Sequence, residues 1–316
     1  MAYSAGDTIL DDEYNAFVSN SSSPFGYNHF AGTGSANYGL NQSSIATVSA
    51  GGTINASNWN SLFTGLDNIA NHLNRSITSS SVSAGDAIAI RSALVSDLAN
   101  LAADVAAGGV NATAFDTTTV GASTNSGTWN STSTIERSVT FANSATMRAF
   151  FNGGGKIRVD PSTSGTTDGS KDTVFQEITA AVGNLDIKAH ATTRSGSGET
   201  QTSLDSGNGF HDLTTSYASK IKITADNSGY TSNYVEIFAK LDAAPGTAVR
   251  IDIKMISSDP ADDTTYTSGN TDGVAANPNE APAMVLTLIE VSPNDTQGLA
   301  SDIKSSSNAQ ISNSQS

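Results

Sequence analysis

The side chains that most often carry out chemistry are few in this sequence, and they are scattered. Its four histidines lie in separate segments, at His29, His72, His190 and His211. No two of them have the spacing of metal ligands on one helix, so surface or packing roles are the simpler interpretation. His211 and Asp212 could be half of a catalytic triad, yet no serine lies in a G-x-S-x-G elbow. The sequence therefore gives no support to hydrolysis by a nucleophilic serine.

Two further patterns resemble ligand sites without matching them. Gly32 and Gly34 begin a G-x-G-x-x-G run, but Asn37 stands in the last position and no strand precedes it, which excludes a dinucleotide site. A later loop gathers carboxylates at Asp259, Asp262, Asp263, Asp272 and Glu280. Their spacing does not match an EF-hand, so a solvated acidic loop is favoured and calcium remains the alternative. No cofactor and no metal are predicted.

Single aromatic residues point to contact surfaces instead of catalysis. A polar segment at 19–44 carries isolated rings, and a loop of that length is usually functional or held by a partner. Together with rings on the predicted helices, these residues form a candidate interface with other subunits: Tyr14, Phe17, Phe25, Tyr27, Phe30, Tyr38, Trp59 and Phe63. Stacking on sugar rings is the alternative role for the loop aromatics. Three later tyrosines are candidate platforms for host-surface glycans: Tyr230, Tyr234 and Tyr266.

Composition limits the classes of function further. Only 14% of the 316 residues are charged, and the formal net charge is -15. Such a chain would be repelled by a phosphate backbone, so nucleic-acid binding is not expected. The sequence contains no cysteine, which excludes disulfides and thiolate chemistry. No apolar run reaches the length of a signal or a membrane span, so we expect synthesis in a host cytoplasm and no membrane span.

The elements that would position these residues begin with a repeat. The pattern S-A-G-x-x-I occurs at Ser4–Ile9, Ser49–Ile54 and Ser83–Ile88, and an amphipathic helical pattern follows each copy. The second helix is the most regular, because Trp59, Leu62, Phe63, Leu66, Ile69 and Leu73 recur at intervals of three and four. We assign residues 1–109 to a helical docking region and residues 110–134 to a linker.

The period changes at the centre of the chain. Ile135–Phe141 alternates as a strand, Ser144–Phe151 reads as a short helix that Asn143 or Ser144 can cap, and Lys156–Val159 restarts the alternation. Asn152 and three glycines end the helix. The sequence therefore predicts a strand, a helix and a return strand that pack as one unit.

Strand patterns dominate the second half, with one further short helix predicted at Thr173–Val182. The predicted strands are Leu185–Ala191, Lys220–Thr224, Asn233–Leu241, Ala248–Ile256 and Met284–Val291. This order predicts an α+β protein, with an antiparallel β-sandwich of jelly-roll type at 135–295. Residues 296–316 form a polar C-terminal tail.

Several segments of the chain resemble a family of virion structural proteins from tailed phages of marine cyanobacteria and related aquatic hosts. They are AGTGSANYGLNQSSIATVSAGGTINASNWNSL, FANSATMRAFFNGGGKIRV, FHDLTTSYASKIKI, GYTSNYVEIFAKLD and NTDG. The likeness keeps the order of these motifs from about Tyr3 to Val291. It implies a particle component without catalytic activity, located in the virion.

Our leading hypothesis is a non-enzymatic virion protein of the tail, neck or an attached fibre. It would form a homo-oligomer and dock on other virion proteins through its N-terminal region, because the helices look too few to cover their own apolar faces. The alternatives are a host-surface glycan-binding module, a capsid decoration protein and an enzyme that digests surface polysaccharide. The last lacks any recognisable catalytic constellation in the sequence.

Overall fold

The structure is a computed structural model. It describes residues 11–22, 25–30, 43–72, 75–83, 91–106, 115–126, 129, 131–164, 170–226, 230–243, 249–258, 282–293 and 304–315. The chain divides into two compact units and passes between them several times. The first comprises Met1–Asp116, Asn143–Gly155 and Ser292–Lys304, and the second comprises Thr117–Ala142, Lys156–Val291 and Ser305–Ser316. The described elements make an α+β protein, as predicted.

The first unit is helical. Its described helices are α1 (Asp11–Ser19), α2 (Tyr27–Phe30), α3 (Ala56–His72), α4 (Arg91–Ala106) and α5 (Ser144–Asn152). Helices α1, α3 and α4 follow the three S-A-G-x-x-I copies, which confirms the predicted pairing of motif and helix. The four-residue helix α2 is too short to leave a periodic signal, and the sequence did not predict it.

The aromatic rings predicted as an interface form the core of this unit instead. Six of the eight are buried, namely Tyr14, Phe17, Tyr27, Phe30, Trp59 and Phe63. The Trp59 ring contacts three of the others, with centroids 5.2 Å from Tyr14, 6.1 Å from Phe17 and 6.1 Å from Phe63. Phe25 is partly buried against the same core, where it stacks on His29 at 4.1 Å. The interface prediction is therefore wrong for these rings, because α1, α2 and α3 cover one another's apolar faces within one chain.

Three asparagines tie the helices to extended segments through identical pairs of hydrogen bonds. Asn60 Nδ2 donates to Val82 O and Asn60 Oδ1 accepts from Val82 N, both at 2.9 Å. Asn15 makes the same pair with Val48 at 2.8 Å. Asn28 does so with the backbone of Ile45 at 2.9 Å. A side-chain amide carries the donor and acceptor of a peptide group, so each asparagine replaces a neighbouring strand. We call these contacts the asparagine clasps.

Two of the clasps occupy the same position in the repeat. Asn15 and Asn60 both lie eleven residues after the serine that opens their copy. Val48 and Val82 each stand directly before the serine of the following copy. In each of the first two copies, the helix is therefore hydrogen-bonded to the valine that directly precedes the next copy. Leu94 takes the corresponding position in the third copy, and a leucine side chain cannot make such a pair of bonds.

The second unit contains most of the strands. Those described are β1 (Phe115–Asn125), β2 (Thr132–Phe141), β3 (Lys156–Ser164), β4 (Leu185–Ile187), β5 (Thr192–Arg194), β6 (Thr200–Leu204), β7 (Ala218–Thr224), β8 (Tyr234–Leu241), β9 (Val249–Ser258), β10 (Ala283–Pro293) and β11 (Ser307–Gln315). They form a five-stranded sheet in the order β1-β10-β3-β4-β5 and a six-stranded sheet in the order β11-β2-β9-β8-β7-β6. This order does not confirm the jelly-roll connectivity.

One helix lies against both sheets. It is α6 (Ser170–Val182), which contacts β3 of one sheet and β7 and β8 of the other. Its Phe175 ring meets the Trp129 ring edge to face at 5.1 Å, and Trp129 Nε1 donates to Pro282 O at 3.0 Å. Val174, Ile178 and Val182 are buried, as predicted, and Gly183 follows the helix at a φ of 56°. The core of this unit therefore surrounds α6 and the inward faces of the long central strands.

The central strand–helix–strand prediction is confirmed for its elements and wrong for their packing. Strands β2 and β3 and helix α5 occupy the expected positions, and Asn143 Oδ1 caps α5 by accepting from Thr146 N at 2.8 Å. The two strands lie in different sheets, however, and α5 belongs to the first unit. Strand β2 pairs instead with β9 along its whole length, and β3 pairs with β10. These long ladders offer more hydrogen bonds than direct pairing of β2 with the returning strand β3 would.

The predicted linker and tail both contain strands. Residues 110–134 include β1 and the start of β2, and residues 296–316 include β11. Threonine, serine and asparagine predominate in β1 and β11, which is why neither shows apolar alternation. The domain boundaries drawn at 135 and 295 therefore cut strands away from the β unit.

Candidate functional site

Strand β11 is an exposed edge. Among the described strands it ends the six-stranded sheet, and eight of its nine residues are exposed. Its sequence, SNAQISNSQ, contains neither charge nor proline. Ile311 stands at its centre, where a register shift leaves it without a Cα partner on β2. At 39% exposure it is the one large hydrophobic residue classed as exposed in the described part of the chain.

A buried arginine holds β11 from beneath. Arg137 on β2 is 6% exposed, and its Nη1 donates to Ala122 O at 2.8 Å and to Ser123 Oγ at 2.5 Å. Its Nη2 donates to Asn308 Oδ1 on β11 at 3.0 Å. Ser123 Oγ in turn donates to Gln310 Oε1 at 2.7 Å. The guanidinium thus joins β1, β2 and β11 in one polar cluster.

Amide side chains extend this cluster toward the end of β11. Asn125 Nδ2 donates to Ser133 Oγ at 2.8 Å and to Ser314 O at 2.9 Å. Asn313 Nδ2 donates back to Thr124 O at 3.1 Å. Both bonds between β1 and β11 here involve a backbone oxygen, so they depend on the position of the strand and not on a particular side-chain partner.

The partners of Arg137 in this cluster are neutral oxygens, although its charge is buried. Burial lowers the pKa of Arg137, because the charged form loses hydration. The carbonyl, hydroxyl and amide oxygens of β1 and β11 replace part of that hydration. The site therefore needs both strands in place, and removing either would leave buried guanidinium donors without partners.

On the outer face beside β11 lies one acid whose two carboxylate oxygens both accept hydrogen bonds. Glu136 on β2 accepts a hydrogen bond from Tyr217 Oη at one carboxylate oxygen and from Ser312 Oγ at the other, the latter at 2.9 Å. Lys240 Nζ lies 4.4 Å from the centroid of the Tyr217 ring. The negative charge nearest to β11 is thus held between a phenol and a serine, with an ammonium group nearby.

The candidate glycan platforms are only partly described. Tyr234 on β8 is half-buried, and Lys222 Nζ sits 3.6 Å over its ring, so one ring face is already occupied. Tyr230 begins the turn before β8, where its carbonyl accepts from Asn233 N at 2.9 Å. Tyr38, Tyr266, the glycine run at 32–37 and the acidic loop from Asp259 to Glu280 lie outside the described residues.

The structure brings together two histidines that the sequence separates. The rings of His190 and His211 stack with centroids 4.8 Å apart, because Phe210 N and His211 N donate to the carbonyls of Lys188 and Ala189. Burial lowers the pKa of His190, and the charge of Asp212 only partly offsets this. Asp212 itself accepts from Gly209 N at 2.8 Å and so closes a turn. No spacing rule could have revealed this pair, since it depends on one loop docking on another.

A polar cavity of about 310 Å³ lies beside α4. Its two acids are used by the fold. Asp104 forms two bonds with the Arg75 guanidinium, at 2.5 and 2.8 Å. Asp97 accepts from the backbone of Thr78 and Ser79. Burial raises the pKa of Asp97, but these hydrogen bonds outweigh it and hold the pKa below its usual value. The two acids that line the cavity thus hold residues 75–79 against α4.

Neither a metal site nor a spanning helix emerges from the described ranges. There, no group of three or more histidines and acids is arranged to hold a metal ion. No described helix is long and apolar enough to cross a membrane. Comparison of the chain with protein-family models, with curated proteins and with solved structures finds no match.

Proposed function

We propose that this protein is a non-enzymatic structural component of a tailed-phage virion that assembles with further subunits through the edge of its six-stranded sheet. The observation that carries the proposal is β11, a nine-residue edge strand with exposed, uncharged side chains. An unprotected edge is a template for pairing with another strand. Soluble proteins ordinarily block such edges with charges, proline or a covering segment, and β11 carries neither charge nor proline.

The sequence resemblance supports the same class of function. The matching segments belong to both units and run from Ala31, ahead of the second repeat copy, to β8 and beyond, and they imply a particle component of the tail, neck or an attached fibre. The mode of docking differs from the one expected from sequence, because the aromatic rings of the helical unit are buried in its own core. Assembly through the sheet edge replaces docking through those rings.

The buried charges of the second unit also suit a structural role. Asp186 on β4 binds Arg158 Nε at 2.7 Å and Lys156 Nζ at 2.6 Å, both from β3. Lys220 is 1% exposed and binds Asp205 at 2.8 Å. Each of these contacts joins two neighbouring segments, so the ionisable groups involved stabilise the sheets.

The proposal is tested on the virus itself. Particles of the phage whose genome encodes this sequence are purified through two density gradients and quantified by mass spectrometry against known virion proteins. We expect the chain in the particles at a fixed copy number, with recombinant protein added to the lysate removed by the same gradients. A chain present in infected cells but absent from gradient-purified particles would overturn the proposal.

Glycan binding is a second candidate, favoured by one observation. Tyr234, one of the candidate platforms, keeps part of its side chain exposed on β8, and an exposed aromatic ring can stack on a sugar. A glycan array probed with the full chain tests it, with Tyr234→Ala as the matched variant. Binding that Tyr234→Ala removes would support this candidate, and an array without signal would exclude it.

A further inference from the structure

We propose that two copies of this chain pair through β11, antiparallel about a twofold axis that passes beside Ile311, so that their six-stranded sheets become one continuous sheet. This inference deepens the proposed function, on which it rests, by naming the partner at the sheet edge. The other described edges are poor alternatives. Strand β5 has three residues, and β6 has five with a register shift. Strand β1 has eleven residues, but it carries an acid at Asp116, and its Ala122 and Thr124 carbonyls already accept hydrogen bonds from Arg137 and from β11.

The sequence of β11 is compatible with its own reversed copy. Ile311 is the middle residue of Ser307–Gln315, and the register shift there reverses the alternation, so that Gln310 and Asn313 both lie on the Arg137 side of the sheet. A twofold axis between Ile311 and Ser312 sets Gln310 opposite Asn313 and Asn308 opposite Gln315 of the second copy, with each pair on one face. Each of these pairs joins two amides, and no pair opposes like charges.

Charge favours this edge over the rest of the surface. With a net charge of -15, two copies repel each other over most of their surfaces. Residues 305–316 contain no charged side chain. The nearby carboxylate of Glu136 is engaged by Tyr217 and Ser312 on the outer face. The edge therefore offers a neutral approach between two acidic molecules.

Ile311 supplies the apolar contact at the centre. It lacks a Cα partner on β2 and is 39% exposed, so pairing with a second copy would remove an exposed hydrophobic side chain from water. One pair of strands buries little area, so we expect a dissociation constant of about 1–100 μM for the isolated dimer. The crowding of copies on a particle would raise the occupancy of such a weak contact.

Disulfide trapping tests the register directly, because the natural chain has no cysteine. In the full-length variant Ile311→Cys, the new thiols of two copies would be diagonal neighbours across the axis, with Cα atoms about 6 Å apart, and mild oxidation should give a covalent dimer. The matched variant Ser307→Cys lies on the same strand, but its thiol would be about 30 Å from its counterpart. We expect a disulfide dimer for Ile311→Cys alone. Equal yields from both variants, or none from Ile311→Cys at 100 μM protein, would overturn the proposal.

Sedimentation velocity between about 1 and 200 μM provides a second measurement that needs no cross-link. We expect Ile311→Asp to weaken self-association at least about tenfold, since it brings two carboxylates together across the axis. The control Gln201→Asp adds the same charge to an exposed position on β6, the opposite edge of the sheet, and should leave self-association unchanged. Circular dichroism verifies that both variants remain folded.

The outcomes separate this inference from the proposed function. A wild-type chain that stays monomeric, or an equal effect of both aspartates, overturns the β11 pairing. If the chain is nonetheless found in purified particles, the structural role stands and another surface makes the contacts. If β11 pairs as described but the chain is absent from particles, the virion assignment alone fails.

Discussion

The side-chain amide of Asn60 makes the pair of backbone hydrogen bonds that a neighbouring strand would otherwise make. It bonds to both backbone polar groups of Val82, and Asn15 repeats the arrangement with Val48. An extended segment beside a helix has no neighbouring strand to satisfy its peptide groups, so these groups would otherwise need water. The clasps thus explain why the segments before the second and third repeat copies can lie against a helical core.

We predict that Asn60→Asp destabilises the protein by about 1–3 kcal/mol at pH 7. The carboxylate can still accept from Val82 N, but it has no proton to donate to Val82 O and repels that oxygen. Urea unfolding followed by circular dichroism at 222 nm measures the loss. The control Asn68→Asp makes the same change on α3, where no clasp exists, and should cost less than about 0.5 kcal/mol. Equal costs at both positions would refute the role of the clasp.

His190 should make the protein sensitive to mild acid. Burial lowers the pKa of His190 below the ordinary value of 6.5, so the unfolded chain takes up this proton first as the pH falls. Its contribution to stability is therefore complete above pH 6.5 and decreases as the pH falls toward the folded pKa. Burial lowers the pKa of His29 in the same direction.

Equilibrium unfolding at a series of pH values from 8 to 5 measures this effect. We expect the free energy of unfolding to fall below pH 6.5, and the variant His190→Gln to show a shallower decline. His29 should account for part of the remaining slope. An identical slope in the variant would show that the His190–His211 stack does not titrate with folding.

Sequence reasoning was most accurate for single side chains on regular elements. It placed Tyr14 and Phe17 on one helical face, and Asn143 was one of the two residues that it offered as the cap of α5. It did not predict which residues cover that face, and so it did not predict that these rings are buried. The covering rings of Tyr27 and Phe30 lie on a four-residue helix, and such a short element has no period to detect.

At the level of elements, the strands that the sequence missed are the four sheet edges. Strands β1 and β5 border one sheet, and β11 and β6 border the other. Inner strands such as β8 and β10 alternate buried and half-buried residues, which the sequence shows as apolar alternation. Edge strands are exposed on more sides and are rich in serine and threonine, so composition makes them look like loops.

Gly183 ends α6 and allows a close crossing of the chain. Its φ is 56°, and a Cβ at this position would lie 2.5 Å from Gly196 N. We expect Gly183→Ala to cost about 2–4 kcal/mol, from backbone strain and from this clash together. Thermal unfolding measures the change.

Gly198→Ala provides the matched control for this variant. Gly198 also has a positive φ, of 88°, but no atom lies within 4 Å of a Cβ placed there. It should cost about 1 kcal/mol, which is the backbone term alone. If the two substitutions cost the same, the approach of Gly196 is not what requires glycine at position 183.

For the whole molecule, the sequence predicted two regions in succession, whereas the structure has two interleaved units. The first unit includes Asn143–Gly155, from within the predicted β region, and Ser292–Lys304, which spans the end of that region and the start of the predicted tail. Local patterns cannot reveal this, because they report on the period of a segment and not on its long-range partners. The order of helix and strand patterns in the sequence is enough to predict the α+β class, which the structure has. The division of the chain into two units depends on contacts between distant residues.

The Arg137 cluster has a consequence for synthesis of the chain. Asn308, its partner on β11, follows it by 171 residues. At about 5–20 residues per second, a ribosome needs roughly 10 to 35 s to make that interval. During this time the backbone groups of β2 that later pair with β11 can pair with β11 of another chain, including one made by an adjacent ribosome on the same message. Polysomes would therefore favour strand-exchanged copies, and slow translation would increase their share.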